Sequence, residues 1–222
     1  GESITGIAIG GVGAGAGGSA RGVMIGGIGA GAGGSATGVM IGGIGAGAGG
    51  NLEGLVLAGV GAGAGGNFSG ISSSGIAAGA GGNLTGIHTA GIAVGAGGNA
   101  TGILVGGIAV GAGGEMRGLA IGGVAVGAPV VRAVVLSGIA AGGEDVSGLI
   151  IAPAYFSVSE NGYMDGVAVS AVNRIRGRQQ GLTIGIINIA RDLRGVQFGI
   201  LNYAGSNRRG LKLMPLVNMD MR

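Results

Sequence analysis

A sixteen-residue repeat constrains the fold of this 222-residue chain more than any other feature of its sequence. From Gly6, blocks such as GVMIGGIGAGAGGSAT and GISSSGIAAGAGGNLT follow one another without gaps, and the eighth block breaks at Pro129. The period then loosens, and further units begin near Ala133, Gly148, Gly166, Gly181, Gly195 and Gly210. A fixed period of this kind indicates stacked units, each of which buries its apolar face against its neighbours. Below, positions within a unit are numbered 1 to 16, with Gly6 at position 1.

Apolar residues recur at every second position within a unit, which is the period of a β-strand. Positions 2 and 4 hold branched aliphatic residues, as in Val23 and Ile25, and positions 7, 9 and 11 alternate again. Gly-Gly pairs separate the two strands, and we expect them to form corners with positive φ. The sequence therefore predicts an all-β, single-path β-solenoid (β-helix) of about 14 coils. It would be a single domain over residues 1–222, regular and glycine-rich over 1–133 and degenerate, with longer loops, over 134–222.

The composition excludes several other classes of protein. Glycine accounts for 61 residues, but it does not occur at every third position and there are only three prolines, which excludes collagen. The absence of cysteine excludes a disulfide-stapled miniprotein and a Cys-ligated metal site. Glycine in every repeat disfavours transmembrane helices. An outer-membrane β-barrel shares the strand alternation and stays a less favoured alternative, because the first eight units offer only Phe68 toward an aromatic girdle.

The alternation also suggests which positions face inward and outward. With the branched aliphatics of positions 2 and 4 inward, position 3 would form an exposed apolar stripe for self-association, containing Met24, Met40, Val56 and Leu104. Positions 8 and 10, almost wholly Gly or Ala, would form a flat outer face. Position 14 would form a polar ladder at a corner, with amides that bond the corner backbone and each other, containing Ser19, Ser35, Asn51, Asn67, Asn83 and Asn99. We expect a homo-oligomer, most simply a dimer.

The sequence offers little to catalysis. His88 is the only histidine, and it shares position 3 with Ser72, so the two residues should lie one coil apart. No carboxylate is placed to orient the imidazole, as a nucleophilic triad would need. Ser73 and Thr89, at the inward position 4, should bond each other across coils. The GAGAGG segments lack the lysine of a phosphate-binding loop. We therefore expect no catalytic residue, no cofactor, no metal site and no enzymatic activity.

Charge is divided unevenly along the chain. Residues 1–170 hold three basic and seven acidic residues, a net charge of −4, whereas residues 171–222 hold nine basic and two acidic residues, a net charge of +7. Seven arginines fall in three successive loops and are predicted to align into one basic edge for an anionic partner: Arg174, Arg176, Arg178, Arg191, Arg194, Arg208 and Arg209. No nucleic acid is expected, because only Tyr203 lies nearby as a stacking surface.

The segment GLTIGIINIARDLRGVQFGILNYAGSNRRGLKLMPLVN resembles bacterial surface-repeat proteins, whose repeats have the form G-[LV]-x-[IF]-G-[LI]-[ILV]-N-[IY]-A followed by a polar turn. Residues 181–190 and 195–204 match closely, and residues 210–218 depart from the pattern at Met214 and Pro215. Residues 6–133 look like a glycine-rich variant. The resemblance implies an exported protein at the cell surface, in the periplasm or in the outer envelope of a bacterium. The expected function is that of a structural or interaction protein, and the alternative is a module that binds an anionic glycan or lipid.

Overall fold

A computed structural model describes residues 2–220, and within them the chain is built almost entirely of β-strands. The chain divides into two compact units, residues 1–114 and 115–222, which are described separately. No helix within residues 2–220 has the length and apolarity to span a membrane.

The first unit is a stack of seven coils, each made of one long and one short strand. The odd-numbered strands contain seven residues and the even-numbered strands four. The strands are β1 (Ile4–Gly10), β2 (Gly13–Ala16), β3 (Ala20–Gly26), β4 (Gly29–Ala32), β5 (Ala36–Gly42), β6 (Gly45–Ala48), β7 (Leu52–Ala58), β8 (Gly61–Ala64), β9 (Phe68–Ser74), β10 (Ala77–Ala80), β11 (Leu84–Ala90), β12 (Ala93–Ala96), β13 (Ala100–Gly106) and β14 (Ala109–Ala112).

Long strands pair with long strands and short strands with short strands, always in parallel. The register is sixteen residues throughout, so that Val23 lies opposite Val39 and Ala30 opposite Ala46. Equivalent positions of successive coils therefore form straight columns. This architecture confirms the predicted all-β solenoid with a sixteen-residue coil.

The prediction of which residues face inward on the long strands is wrong. Positions 15, 3 and 5 of the long strand and positions 9 and 11 of the short strand are interior, whereas positions 2 and 4 face outward. The four residues of the supposed self-association stripe are buried, with 2% exposure for Met24, 3% for Met40, 0% for Val56 and 1% for Leu104. Alternation gives the two faces of a strand but not which one is inside. In this thin coil, the interior face of each long strand is the face that packs against the alanines of the short strand.

The glycines are needed for two different reasons, and the expectation of positive φ at the Gly-Gly corners is wrong. Positive φ occurs at position 1, inside the long strand, as at Gly22 with 120° and Gly38 with 125°. Corner glycines such as Gly27 lie so close to the coil before them that a Cβ would collide with a backbone carbonyl, here that of Gly11. Close stacking of the backbone, rather than the sign of φ, therefore requires glycine at the corners.

The second unit continues the coiled design with longer strands. They are β15 (Glu115–Gly122), β16 (Ala125–Gly127), β17 (Val130–Ser137), β18 (Ala140–Ile151), β19 (Tyr155–Val169), β20 (Val172–Ile184), β21 (Ile187–Ala204) and β22 (Leu213–Asp220), with a short 3-10 helix at Arg209–Leu211. The unit starts predicted from the sequence lie in one register column, formed by Gly118, Ala133, Gly148, Gly166, Gly181 and Gly195.

The last predicted coil is not formed. Strand β22 runs antiparallel to β21, with Gly195 opposite Asp220, and Gly210 lies outside the column. The solenoid has about 12 coils, whereas the sequence predicted about 14. The antiparallel strand covers the open edge of the last coil, which is the usual task of a terminal cap in a repeat protein.

Candidate functional site

The outer surface of the long strands in the first unit is a continuous apolar sheet face. We call it the aliphatic face, and its residues occupy positions 2 and 4: Ile7, Ile9, Val23, Ile25, Val39, Ile41, Leu55, Leu57, Ile71, Ile87, Ile103 and Val105. Ser73 and Thr89 are the polar members of the same two columns. Exposure reaches 49% at Ile71 and 41% at Ile87 and Ile103, in the middle of the stack. A contiguous apolar patch of this extent is unusual for a monomer.

Two further apolar surfaces adjoin the aliphatic face in the same unit. Position 7 forms a corner row of exposed Ile and Val side chains, such as Ile76 at 44% and Ile92 at 43%. Positions 8 and 10 contain only Gly and Ala over the seven coils, so the outside of the short strands carries no side chain larger than a methyl group. A shallow groove of about 740 Å³ lies there, lined by residues between 61 and 112. The flat outer face expected from the sequence is therefore present.

The position 14 residues lie at an exposed corner, and Ser35, Asn51, Asn67 and Asn83 each accept a hydrogen bond from the coil that follows. Asn51 Oδ1 accepts from the backbone N–H of Asn67, and Asn67 Oδ1 accepts from that of Asn83, both at 2.8 Å. Ser35 Oγ plays the same part for Asn51 at 3.2 Å. The bonds run from backbone to side chain, so this ladder stabilises the stacking of the corner.

Ser72 and His88 meet in the interior of the first unit. The Ser72 hydroxyl bonds His88 Nδ1 at 2.8 Å, and His88 Nε2 donates to the Thr85 carbonyl at 3.1 Å. The imidazole also packs edge-on against Phe68, with 4.7 Å between ring centroids. His88 is 0% and Ser72 1% exposed, so the pair is closed to any substrate. Burial lowers the pKa of His88 below its ordinary value of 6.5, against the opposing effect of the bond to Thr85.

The expected bond between Ser73 and Thr89 is replaced by a different one. Both residues face outward, and Thr89 Oγ1 donates to the Ser72 carbonyl at 3.3 Å. This outcome follows because position 4 of the long strands faces outward, and not inward as the sequence predicted.

The structure does not arrange the seven arginines as one edge. Arg178 pairs with Asp192, with 3.1 Å between Nε and Oδ2, and Arg194 approaches the same carboxylate at 4.0 Å. Arg208 and Arg209 lie at the short 3-10 helix. Arg174, Arg176 and Arg191 line one groove of about 440 Å³ together with Glu160 and Tyr203. We call this the arginine groove.

Irregular strand pairing forms the arginine groove. Between the pairs Ile175–Ala190 and Arg178–Asp192, two residues of β20 face the single residue Arg191 of β21. On the other side, the same two residues of β20 face the four residues 159–162 of β19. Bulges of this kind interrupt the ladder and redirect side chains. The unequal insertions in three successive coils thus bring the arginines to a common depression.

The positive field of the arginine groove reaches Tyr155. A hydrogen bond with Ser157 lowers the pKa of the Tyr155 phenol, and partial burial opposes this change. A hydrogen bond with Arg174 lowers it further, as do the charges of Arg174 and Arg176.

The sequence-based prediction missed a buried amide ladder in the second unit. Asn173 Nδ2 donates to Asn188 Oδ1, and Asn188 Nδ2 donates to Asn202 Oδ1, both at 2.7 Å. All three side chains are 0% exposed. Gln179 and Gln197 form a second buried pair, at 2.9 Å. The spacing of fifteen and fourteen residues between the asparagines was the available signal, and of the three only Asn188 and Asn202 lie in the segment that resembles surface repeats.

Comparisons with protein-family models, with curated proteins and with solved structures found no match. Within residues 2–220, no group of three or more His, Asp or Glu side chains could hold a metal ion.

Proposed function

We propose that this protein is a non-enzymatic structural and interaction protein of the bacterial cell envelope that assembles through its aliphatic face with a second copy of itself. The observation that carries the proposal is the extent of that face, which runs over all seven coils of the first unit. The resemblance of residues 181–218 to exported surface repeats and the absence of cysteine support the location.

The area of the aliphatic face suits a dimer. Seven coils about 4.8 Å apart and strands of seven residues at about 3.3 Å each give the whole outer surface of the long strands, which is the aliphatic face together with the adjoining position 16 column, an area of about 34 Å by about 23 Å, or about 780 Å². Stable protein–protein interfaces bury about 800 Å² on each partner. A second copy placed on this face would therefore bury a standard interface.

The repeat also makes the face complementary to itself. Backbone hydrogen bonding fixes the spacing of the coils, so the columns at positions 2 and 4 have the same period in any second copy. Rows of β-branched side chains on one sheet can then interdigitate with those on the other, as in the core of a β-sandwich. Within residues 2–114 the charged residues are Glu2, Arg21 and Glu53, and the last two lie at position 16, beside the aliphatic face on the outer side of the same strands. Few charges would therefore have to be desolvated.

Size-exclusion chromatography with light scattering tests the assembly. We expect the unaltered protein to be a dimer and the variant Ile71→Lys/Ile87→Lys to be a monomer, because two ammonium groups would be buried in the interface. The matched control is Ile76→Lys/Ile92→Lys, which makes the same change in the same two coils at nearly equal exposure, but on the corner row. The variant Ile71→Thr/Ile87→Thr keeps β-branching and should also weaken the dimer. A monomeric unaltered protein, or equal effects of the two lysine pairs, would refute the proposal.

A further inference from the structure

We propose that the arginine groove of the second unit binds a carboxylate-bearing glycan. This inference is independent of self-association, because it rests on other residues in the other unit. The groove measures about 440 Å³, which lies in the usual range of about 300–1,000 Å³ for ligand sites.

The three arginines of the groove are available to an anion. All three are exposed, and the ion pairs formed among residues 2–220 involve Arg117, Arg132, Arg178 and Arg194 instead. Arg174 forms a hydrogen bond with the Tyr155 phenol. A guanidinium group presents parallel N–H donors that match the two oxygens of a carboxylate. The groove can therefore hold more than one carboxylate.

The remaining lining residues favour a sugar over other polyanions. Tyr203 offers an aromatic ring that is 39% exposed, on which the apolar face of a sugar ring can pack. Glu160 offers a carboxylate that can accept hydrogen bonds from sugar hydroxyls. A phosphodiester backbone and an anionic bilayer select uniformly basic surfaces, whereas this groove also contains a carboxylate. Acidic groups and hydroxyls together are the mixture that a uronic acid oligomer provides.

The adjoining groove extends the site along the chain of such an oligomer. Arg191 also lines a second depression of about 480 Å³, which contains Asn161, Tyr163, Arg178 and Gln180. Here Arg178 is partly neutralised by Asp192, so the second depression supplies mainly amide and phenol groups. An oligomer longer than the arginine groove could therefore continue past Arg191 and would still contact polar groups in the second depression.

Isothermal titration calorimetry with an oligogalacturonate tests the proposal. We expect binding that weakens with added salt, and we expect Arg176→Gln/Arg191→Gln to lower the affinity about tenfold or more, because two charge-assisted hydrogen-bonded contacts are lost. The matched control is Arg208→Gln/Arg209→Gln, which removes the same charge from the same unit outside the groove and should change the affinity less than about twofold. Tyr203→Leu should weaken binding without changing its salt dependence.

Three results would overturn the proposal. The first is an equal loss of affinity in both arginine pairs, which would indicate attraction by net charge alone. The second is equal affinity for a neutral galactan oligomer of the same length, which would remove the role of the carboxylates. The third is the absence of oligogalacturonate binding, with or without binding to phosphatidylglycerol vesicles. Circular dichroism of each variant shows whether the fold is retained.

Discussion

Replacement of Asn188 by Asp should destabilise the second unit more than replacement by Ala, although Asp has nearly the same shape as Asn. Asn188 accepts a hydrogen bond from Asn173 and donates to Asn202 Oδ1 at 2.7 Å and to the Phe198 carbonyl at 2.9 Å. Asn188, in the middle of the ladder, must therefore both accept and donate. An aspartate can accept from Asn173, but it places an oxygen against Asn202 Oδ1 and brings a charge into a fully buried position.

The magnitude follows from the bonds that each variant loses. In Asn188→Ala, Asn202 Oδ1 is left without its donor, which costs about 1–3 kcal/mol, and the two other bonds add about 0.5–1.5 kcal/mol each. The Phe198 carbonyl keeps its bond from the Gly185 N–H, so it is not left unpaired. We expect a loss of about 2–6 kcal/mol for Ala on this account, and a larger loss for Asp at neutral pH.

Tyrosine fluorescence during guanidinium unfolding provides the assay. The chain has no tryptophan, and its three tyrosines, Tyr155, Tyr163 and Tyr203, all lie in the second unit, so the signal reports that unit. Asn67→Ala is the control, because Asn67 holds one bond at an exposed corner of the first unit and should leave the tyrosine transition unchanged. An Asp variant as stable as the Ala variant would refute the requirement that Asn188 donates as well as accepts.

Three further outcomes are expected. Because burial lowers the pKa of His88 in the fold, the contribution of this residue to stability should be complete above the ordinary pKa of about 6.5. At lower pH the stability should decrease by at most about 1.4 kcal/mol per pH unit, as measured by unfolding curves recorded over a pH series. The variant His88→Gln should lack this pH-dependent component. Gly54→Ala should cost about 2 kcal/mol or more in denaturant unfolding, since φ is 133° and a Cβ would meet the Gly38 carbonyl, whereas Gly61→Ala should be nearly neutral. Ultraviolet titration should show the Tyr155 phenol ionising below its ordinary pKa, and Arg174→Gln should raise that pKa.

The fold was predicted from the sixteen-residue repeat and the alternation at every second position within it. A register of sixteen residues brings identical residue types into columns, so strand pairing between coils follows from the period without knowledge of any side-chain contact. The end of the array was less predictable. Gly210 begins a segment that resembles a repeat, but Leu213–Asp220 pairs in the antiparallel direction. A local motif cannot specify strand direction, which depends on how the preceding turn closes.

The assignment of inner and outer positions failed because it took the branched aliphatic residues of positions 2 and 4 as the buried set. Positions 2 and 4 hold branched aliphatic residues in most coils, with Ser73 and Thr89 as the exceptions. Interior columns vary together instead: Met24 and Met40 accompany alanines at position 15, whereas Ser72 accompanies Phe68. Such joint variation between neighbouring interior positions reflects the need to fill a limited volume. This joint variation is visible in the sequence and indicates which positions of the long strand face inward.

The arginine groove could not be derived from the sequence for a different reason. The three loops were expected to align because they follow equivalent strands, but insertions of four, two and one residues in β19, β20 and β21 shift the side chains relative to each other. Asp192 then neutralises part of the row. The size of each insertion is a property of strand pairing, and the charge pattern contains no information about it.

The two proposals together predict an effect that neither predicts alone. A dimer formed through the aliphatic face contains two arginine grooves, and a glycan long enough to reach both would bind with a raised effective concentration for the second contact. The variant Ile71→Lys/Ile87→Lys should then bind a short oligogalacturonate as tightly as the unaltered protein does, since its groove is unchanged. Its apparent affinity for long polygalacturonate should fall, because each monomer has only one groove. Calorimetry with short and long chains measures both quantities. A loss for the short chain would mean that the substitutions disturb the second unit, and no loss for the long chain would mean that the two grooves do not act on one glycan.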